Sequence, residues 1–408
     1  MARSFLLLGV LTLFGSGTYA AERPENILLV LGDDVDVDWL PWSAPINTHT
    51  PTLKRLAGIG TRFDNVWGSN RCAPSLASIL TGRRPHEHGQ TTNDASFVDL
   101  STSFGHRLSA RGYRSMVAGK WWWDDPIHHG FQDRFDWQQP WSQLARPEQG
   151  PVFAFLADVA ASGQPFFLWW APKLPHEPHD AGSGFLSLFP PESIPIPDFV
   201  PQQGRANWRH RQRQYLASQA RFDFELRRLG REIRRLGLDE NLRVIFCVDN
   251  GWTVELPSKG SWFERGIRCP VVVAGKAWPK GGVDERLLLL EDLHTLITQE
   301  TLPERSTLAR IVYAGSTLGD LASDAMAVVS RDSPGRKLAW FPNDVLAADS
   351  ARWRVSHGPY SPFPERMAGR LDLHDLLDDP LEQSPIPGSP DDPLYSLIAE
   401  LWQQATGG

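Results

Sequence analysis

The sequence predicts an α/β fold: a large, mostly parallel sheet flanked by helices, with a smaller C-terminal subdomain. Apolar runs typical of strands alternate with helical stretches up to about residue 325, and such alternation is the signature of a parallel sheet. Beyond that point short strand-like runs and proline-rich turns take over. We therefore expect an α/β domain over residues 21–325 and a subdomain over 326–408, built from a short antiparallel sheet and a helix at 394–404.

The elements of the first domain can be assigned in order along the chain. A strand over residues 26–32 is followed by a helix with Thr50 as its N-cap and Pro51 in its first turn. A second helix starts at Cys72 and is ended by Gly82. Apolar side chains three or four residues apart predict a long helix over 208–238. Further strands are predicted within 112–120, 165–170 and 243–248.

The first twenty residues have the pattern of an export signal. One cationic residue, Arg3, precedes an apolar run over 5–14 and then small residues, with expected cleavage after Ala20 or Ala21. The alternative is a membrane anchor, but the run is shorter than the roughly 20 residues that a span needs. We therefore expect residues 1–20 to be removed, no membrane span afterwards, and a secreted or periplasmic protein.

Size, charge and cysteine usage narrow the class further. The chain has 408 residues, enough for one large domain with an appended piece or for two ordinary domains. A formal charge of −7 argues against a nucleic-acid partner, which needs a basic surface. The cysteines Cys72, Cys247 and Cys269 form no disulfide framework. Cys247 and Cys269 could pair in an oxidising compartment, or be buried thiols.

Acidic and amide side chains follow two of the predicted strands. Asp33 and Asp34 end the first strand, and Asp249 and Asn250 end the strand over 243–248. Because the carboxyl ends of parallel strands meet in one crevice, these groups should converge. Oxygen ligands suit a hard cation, Ca²⁺ or Mg²⁺. Paired acids after a strand are also common as plain loop residues, which is the interpretation we favour for Asp36 and Asp38.

Cys72 is the candidate nucleophile. At a helix start its thiol pKa should be lowered, and the exposed N–H groups there attract oxyanions. Taken alone, this cysteine would be better explained as an ordinary helix-start residue. Together with the metal site, it indicates a hydrolase for an anionic ester.

Residues 72–82 resemble the hallmark of the type I sulfatases in the alkaline-phosphatase superfamily. That hallmark is Cys-x-Pro-Ser-Arg-x-x-x-x-Thr-Gly, matched here at Cys72, Pro74, Ser75, Thr81 and Gly82. The ordered resemblance spans about residues 25–385. It continues at Asp33-Asp34, Thr50-Pro51, Gly119-Lys120-Trp121, Pro175-His176-x-Pro178, Val248-Asp249-Asn250-Gly251, Lys259, Arg265-Gly266-Ile267-Arg268-Cys269-Pro270 and Leu376-x-x-Asp379-Pro380-x-Glu382.

The resemblance implies a specific chemistry for these positions. Cys72 would be oxidised to formylglycine by a formylglycine-generating or maturase enzyme, and the hydrate would supply the nucleophile. Lys120, His176 and Lys259 would surround the transferred sulfuryl group and stabilise its developing charge. The substrate would be a small-molecule or carbohydrate sulfate ester. The metal ligands would be Asp33, Asp34, Asp249, Asn250 and the modified residue 72.

The chain departs from the family pattern at two positions. Leu76 replaces the hallmark arginine, which belongs to the oxidation signal and contacts the modified residue. Trp122 replaces a histidine that helps to expel sulfate; His128 and His129 could replace this base, or could simply form a turn. Two alternatives therefore stay open. One is a non-catalytic protein that binds sulfated or phosphorylated ligands, and the other is a phosphodiesterase or phosphonate hydrolase of the same superfamily.

Overall fold

The computed structural model describes residues 24–94, 97–135, 150–197, 200–254, 258–260, 264–276, 278, 281–299 and 301–302. It also describes the backbone of strands at 310–318, 321–330, 336–341 and 370–375. The export signal, the helix at 394–404 and the motif at 376–382 lie outside the described residues. Within the part that is described, no helix is both long enough and apolar enough to cross a membrane.

An eight-stranded sheet forms the centre of the structure. Its strands, from one edge to the other, lie in the order β5, β4, β6, β1, β7, β8, β2, β9. Only β8 runs against its neighbours, so the predicted mostly parallel sheet is confirmed. The strands are β1 (Asn26–Gly32), β2 (Thr61–Phe63), β4 (Arg114–Gly119), β5 (Asp133–Phe135), β6 (Phe166–Ala171), β7 (Leu242–Val248), β8 (Val271–Ala274) and β9 (Val283–Asp284), and a separate two-stranded sheet joins β3 (Val66–Trp67) to β10 (Leu288–Leu289).

Helices cover the sheet in two separate groups. The long helix α7 packs against α1 and α5, whereas α2, α4 and α9 pack against one another. The α-helices are α1 (Pro51–Ile59), α2 (Cys72–Thr81), α3 (Pro85–His88), α4 (Phe104–Ala110), α5 (Gly150–Ser162), α6 (Ser183–Leu186), α7 (Arg205–Arg235), α8 (Glu264–Ile267) and α9 (Asp292–Gln299). Short 3₁₀ turns lie at Val37–Trp39, Pro126–His129, Pro191–Ser193, Gln202–Gly204 and Asp239–Asn241.

The central strands are buried along almost their whole length. In β1, residues 27–31 are at most 3% exposed, and β6 is buried throughout. Such continuous burial is expected when helices cover both faces of a parallel sheet. Each fully buried Val, Leu, Ile or Phe side chain contributes about 1.5–3 kcal/mol. The central strands are therefore a rigid base for the loops at their carboxyl ends.

Helix α7 joins the main core to a second hydrophobic cluster. Its later residues, such as Leu226 and Leu229, pack in the main core, whereas Trp208 and Tyr215 belong to a cluster with Trp252. Because Trp252 closely follows the carboxyl end of β7, this second cluster supports the functional edge of the sheet.

The start of α1 corrects one prediction. Thr50 occupies the N-cap position, but its hydroxyl bonds to the Thr48 hydroxyl at 2.6 Å and makes no cap bond. Instead the Asp223 carboxylate on α7 accepts the backbone N–H of Thr52 at 3.1 Å and of Leu53 at 2.8 Å. A carboxylate is a stronger acceptor for these donors than a hydroxyl and also suits the positive end of the helix dipole.

A four-stranded antiparallel sheet forms the described part of the C-terminal region. Its strands β11 (Arg310–Leu318), β12 (Leu321–Ser330), β13 (Arg336–Phe341) and β14 (Arg370–Asp375) pair in sequence order. The predicted antiparallel sheet is therefore present. It begins at Arg310, upstream of the boundary expected after residue 325, which lies inside β12.

Candidate functional site

Four adjacent parallel strands each deliver site residues at their carboxyl ends. Asp33 and Asp34 follow β1, and Asp249 and Asn250 follow its neighbour β7. Lys120 directly follows β4, and the loop after β6 carries His176. Backbone hydrogen bonds continue past the strand ends, from Asp249 N to Gly32 O at 3.1 Å and from Lys120 N to Ala171 O at 2.8 Å. The side chains are thus held on an extension of the sheet.

The acidic groups from β1 and β7 are in direct contact with two lysines. Lys120 Nζ lies 2.5 Å from Asp33 Oδ1 and 2.8 Å from Asp249 Oδ2. Lys259 Nζ lies 2.7 Å from Asp34 Oδ1. We call Asp33, Asp34 and Asp249 the acidic cluster. Its carboxylates are buried, so their mutual repulsion must be offset by cations held against them.

The pKa shifts reflect this balance of burial and charge. Burial alone would raise the pKa of Asp33, but Lys120, His176 and Lys259 outweigh it and lower that pKa to about 2. For Asp249 burial prevails over Lys120, so its pKa is raised. The pKa of Lys120 is raised well above its usual value, because its carboxylate neighbours outweigh burial. Asp33 and Lys120 therefore form a buried ion pair at neutral pH.

The residues present suit a hard divalent cation. Single ligand atoms of Asp33, Asp34, Cys72 and His176 lie within 4.8 Å of one another. Asn250 donates its amide N–H to Asp34 Oδ1 at 2.8 Å, and its own Oδ1 is buried with no hydrogen-bond partner among the described residues. A buried carbonyl oxygen without a partner is costly, and a cation would satisfy it. Carboxylate and amide oxygens would hold Ca²⁺ or Mg²⁺ here.

Cys72 lies at the first turn of α2 beside the acidic cluster. Its Sγ is 3.9 Å from Asp33 Oδ1 and 3.9 Å from Asp34 Oδ1, and the residue is 1% exposed. The predicted lowering of its thiol pKa is wrong. Burial raises the pKa, and the attraction of Lys120 does not compensate. Without modification, residue 72 is a neutral thiol. Cys247 and Cys269 are also buried and free, so the possible disulfide is absent.

His176 and Lys259 form the opposite side of the site. His176 Nδ1 donates to Glu177 O at 2.6 Å, since a carbonyl oxygen can only accept. Its Nε2 therefore faces Lys259 Nζ at 3.1 Å and Asp34 Oδ2 at 3.4 Å. The histidine and the lysine thus point at the same carboxylate. All the predicted site residues are brought together in one place.

Three aromatic residues behind His176 were not predicted. The Tyr215 and Trp252 rings are stacked at 4.8 Å, and the His179 ring packs edge-on against both. His179 also bonds to Pro175 O through Nδ1 at 2.7 Å, which fixes the loop that carries His176. Tyr215 comes from α7, far away in sequence.

Comparison with known proteins identifies the family. A family model described as Sulfatase matches residues 25–298, which contain the acidic cluster, Cys72, Lys120, His176 and Lys259. The chain belongs to the sulfatase family. The resemblance stated from the motifs is confirmed, and so is the large, mostly parallel sheet that it implied.

Individual sulfatases are similar to this chain at moderate identity. N-acetylgalactosamine-6-sulfatase of Canis lupus familiaris is 27% identical over 366 residues, covering 72% of this chain and 65% of that protein. The chain spans just under two thirds of the length of the N-acetylgalactosamine-6-sulfatases that it matches. Choline-sulfatase of Rhizobium meliloti is 24% identical over 451 residues, covering 90% of this chain and 83% of that protein.

Solved sulfatase structures share the fold. A complex with its substrate D-glucosamine-2-N,6-O-disulfate has a TM-score of 0.70 and 17% identity, covering 94% of this chain and 98% of that one. A sulfatase from Pseudoalteromonas sp. has a TM-score of 0.64 and 17% identity, covering 94% and 91%. At these identities the likeness supports the fold alone.

Leu76 and Trp122, the two expected departures from the sulfatase pattern, lie in different surroundings. Leu76 is 1% exposed and packs in the main hydrophobic core, so position 76 contributes no charge. Trp122 is 40% exposed, and Lys120 Nζ lies 5.9 Å from the centre of its ring. An indole has no basic atom. The chain therefore lacks a base at this position and has an exposed aromatic surface there instead.

The histidines considered as replacement bases lie in a turn. His128 and His129 belong to the 3₁₀ turn Pro126–His129, and both rings bond to the Asp124 carboxylate, at 2.8 Å and 2.5 Å. His128 and His129 thus form a turn, which was the second interpretation offered for them.

The nearby acids Asp36 and Asp38 are also engaged locally. Asp36 Oδ1 accepts the N–H of Asp38, and the Asp38 carboxylate pairs with Arg265 at 2.7 Å. Asp36 and Asp38 make local contacts, as expected for loop residues.

Proposed function

We propose that this protein hydrolyses sulfate esters of carbohydrates, using a divalent cation and a formylglycine derived from Cys72. The observation that carries the proposal is the contact of Cys72 Sγ with two carboxylates of the acidic cluster at the start of a helix. A nucleophile at this point would lie beside the bound cation and the N–H groups of α2. In the overall reaction water cleaves the S–O bond, and the alcohol and hydrogen sulfate leave.

The cation would be held by Asp33, Asp34, Asp249 and Asn250. We propose Ca²⁺, with Mg²⁺ as the alternative, because all four side chains offer oxygen atoms. When bound, it would supply Lewis acidity that withdraws charge from the sulfate oxygens. Formylglycine at position 72 would supply the nucleophilic hydroxyl in its hydrated form, after oxidation of Cys72 by a formylglycine-generating or maturase enzyme. Export by the N-terminal signal would place the mature protein outside the cytoplasm.

The cationic side chains of the chain have separable roles. Lys120 would stabilise negative charge near the nucleophile at position 72, since its ammonium lies between Asp33 and Asp249. Lys259 and His176 meet at 3.1 Å on the other side of Asp34, where they would hydrogen-bond the leaving oxygen. A proton delivered there would prevent an alkoxide from forming.

A carbohydrate sulfate is the substrate class that the site entrance favours. Trp122 is exposed beside Lys120, and indole rings stack on the apolar faces of sugars. Two of the similar proteins act on or bind sulfated amino sugars, the N-acetylgalactosamine-6-sulfatase and the complex with glucosamine disulfate. These names support the proposal for this chain by analogy.

Mass spectrometry and turnover together test the proposal. Protein co-expressed with a formylglycine-generating or maturase enzyme should have the aldehyde mass at position 72. It should then hydrolyse N-acetylgalactosamine 6-sulfate faster than nitrophenyl sulfate. Cys72→Ala should abolish turnover, whereas Cys247→Ala, which also removes a buried thiol, should retain it. An unmodified thiol without turnover of any sulfate ester would contradict the proposal.

A second candidate function is binding without hydrolysis. Two observations favour it: the thiol of Cys72 is almost fully buried, and Trp122 offers no base for the release of sulfate. Calcium-dependent retention on an immobilised sulfated glycan, with the bound glycan recovered intact, would support binding alone. Release of free sulfate from that column would exclude it.

A further inference from the structure

Position 71, which precedes the candidate nucleophile, carries a cation that the family pattern does not assign. We propose that Arg71 is a sulfate-binding residue that supplies the guanidinium missing at position 76. The inference rests on the proposed function, because it concerns the sulfate group bound at that site. It explains how a chain with Leu76 in the hydrophobic core could still bind an anion.

The backbone places Arg71 at the start of α2. It is the N-cap residue, with φ −139° and ψ 153°, and its carbonyl accepts the first helical hydrogen bond, from Ser75 N at 3.2 Å. The residue is partly buried. Arg71 is therefore covalently next to Cys72 at the helix end where oxyanions are favoured.

The guanidinium of Arg71 lies beside Gly260. A Cβ added at Gly260 would lie 2.9 Å from Arg71 Nη2, 3.1 Å from Cζ and 3.4 Å from Nε. A side chain larger than hydrogen at position 260 would therefore press on the guanidinium. Gly260 N also donates to Asn70 O at 2.9 Å, which ties the two segments together. The residue next to Gly260 is Lys259, whose ammonium bonds to Asp34. The same loop therefore contacts the guanidinium and delivers Lys259.

The electrostatic surroundings agree with this geometry. Asp34, a member of the acidic cluster, and Asp94 are near enough to Arg71 to interact with its charge. An arginine keeps its charge even when half-buried, and its planar fork can donate two hydrogen bonds to one tetrahedral anion.

The charge balance shows what Arg71 would add. The acidic cluster has three carboxylates, and Lys120 and Lys259 are already held against them. These five groups sum to one negative charge, so they alone would repel a sulfate ester. A divalent cation would bring the sum to one positive charge, and Arg71 would raise it to two. Leu76 is apolar and enclosed by the core, so it adds no charge.

Sulfate binding to the calcium-loaded protein tests the inference without requiring turnover. By calorimetry, Arg71→Met should bind inorganic sulfate about 10- to 100-fold more weakly than wild type, because charge-assisted hydrogen bonds are lost. Arg71→Lys should recover part of the loss, since it keeps the charge without the fork. Calcium affinity should not fall, because the variant removes a positive charge near Asp34, and the melting temperature should stay at the wild-type value. A merely structural role would lower both.

A pair of glycine variants tests the position of the guanidinium. Gly260→Ala would push on Arg71, whereas Gly112→Ala has nothing within 4 Å of the added Cβ. Both glycines have positive φ, +82° and +79°, so the backbone strain is matched. Only Gly260→Ala should weaken sulfate binding.

The outcomes separate this inference from the proposed function. If wild type hydrolyses no sulfate ester but Arg71→Met still weakens sulfate binding, the inference holds and the proposed function falls. If Arg71→Met binds sulfate as tightly as wild type, the inference is overturned even for an active sulfatase. It is also overturned if wild type binds no sulfate, if Gly260→Ala and Gly112→Ala bind it equally well, or if calcium affinity falls in parallel.

Discussion

The substitution Lys120→Met tests most directly whether the acidic cluster is a cation site. Lys120 is 7% exposed, and its ammonium contacts Asp33 and Asp249 at 2.5 Å and 2.8 Å. With an effective dielectric constant of 20, each contact corresponds to about 6 kcal/mol of gross Coulomb attraction. Part of this is offset because burying the ammonium itself costs several kcal/mol. Methionine fills a similar volume but leaves the carboxylates facing each other.

Removal of one partner from a buried ion pair usually costs about 3–5 kcal/mol. We therefore expect Lys120→Met to lose about that much free energy of unfolding in EDTA, measured by urea denaturation at pH 7. Calcium should then replace the lost positive charge. For wild type, calcium at 100 times its Kd adds about 2.7 kcal/mol, and the gain for Lys120→Met should be larger at the same concentration.

The matched control is Lys54→Met, which removes an exposed lysine on α1. Its free energy of unfolding should stay within about 0.5 kcal/mol of wild type, with or without calcium. Two results would refute the reasoning. One is a loss below about 1 kcal/mol for Lys120→Met in EDTA, which would mean that the ion pairs contribute little. The other is an equal calcium response in wild type and variant, which would mean that calcium binds elsewhere.

Two further predictions concern the helices around the site. Asp223→Ala should lower the free energy of unfolding in urea by about 1–2 kcal/mol, because the N–H groups of Thr52 and Leu53 lose their acceptor; a loss below about 0.5 kcal/mol would contradict the capping role. Burial lowers the pKa of His294, whose Nδ1 donates to Leu80 O on α2. The unfolded chain then binds the proton more readily, so stability should fall as pH decreases below 6.5, by at most about 1.4 kcal/mol per pH unit. His294→Asn should remove this slope between pH 5 and 7 while keeping a donor; an unchanged slope would show that other groups cause it.

The sequence was informative where a local pattern determines the structure. The run 27–31 is apolar throughout and the aspartates come one residue after it, so a buried strand with acids at its carboxyl end could be predicted. The same pattern recurs at β7, and the parallel pairing of β1 with β7 brings the two ends together. Gly82 ends α2 with φ +70°, as its residue type indicates. The positions of Lys120, His176 and Lys259 came from the family resemblance.

The wrong predictions all depended on contacts between distant parts of the chain. The cap of α1 comes from Asp223, 171 residues beyond Thr52. A helix start ordinarily lowers a thiol pKa, but at Cys72 burial beneath the acidic cluster outweighs that effect. Local sequence contains no signal for either effect.

The two expected departures from the family pattern have different chemical consequences. Under our proposal Arg71 supplies the charge lost at Leu76, because electrostatic attraction needs a cation nearby and not at one particular backbone position. Proton transfer is stricter, since a base must lie within hydrogen-bond distance of the proton, and Trp122 has no basic atom. Anion binding should therefore be retained better than release of sulfate. In kinetic terms, an active enzyme would combine an ordinary affinity for sulfated sugars with a low kcat. If kcat fell to zero while the affinity was kept, the protein would bind these sugars without turnover.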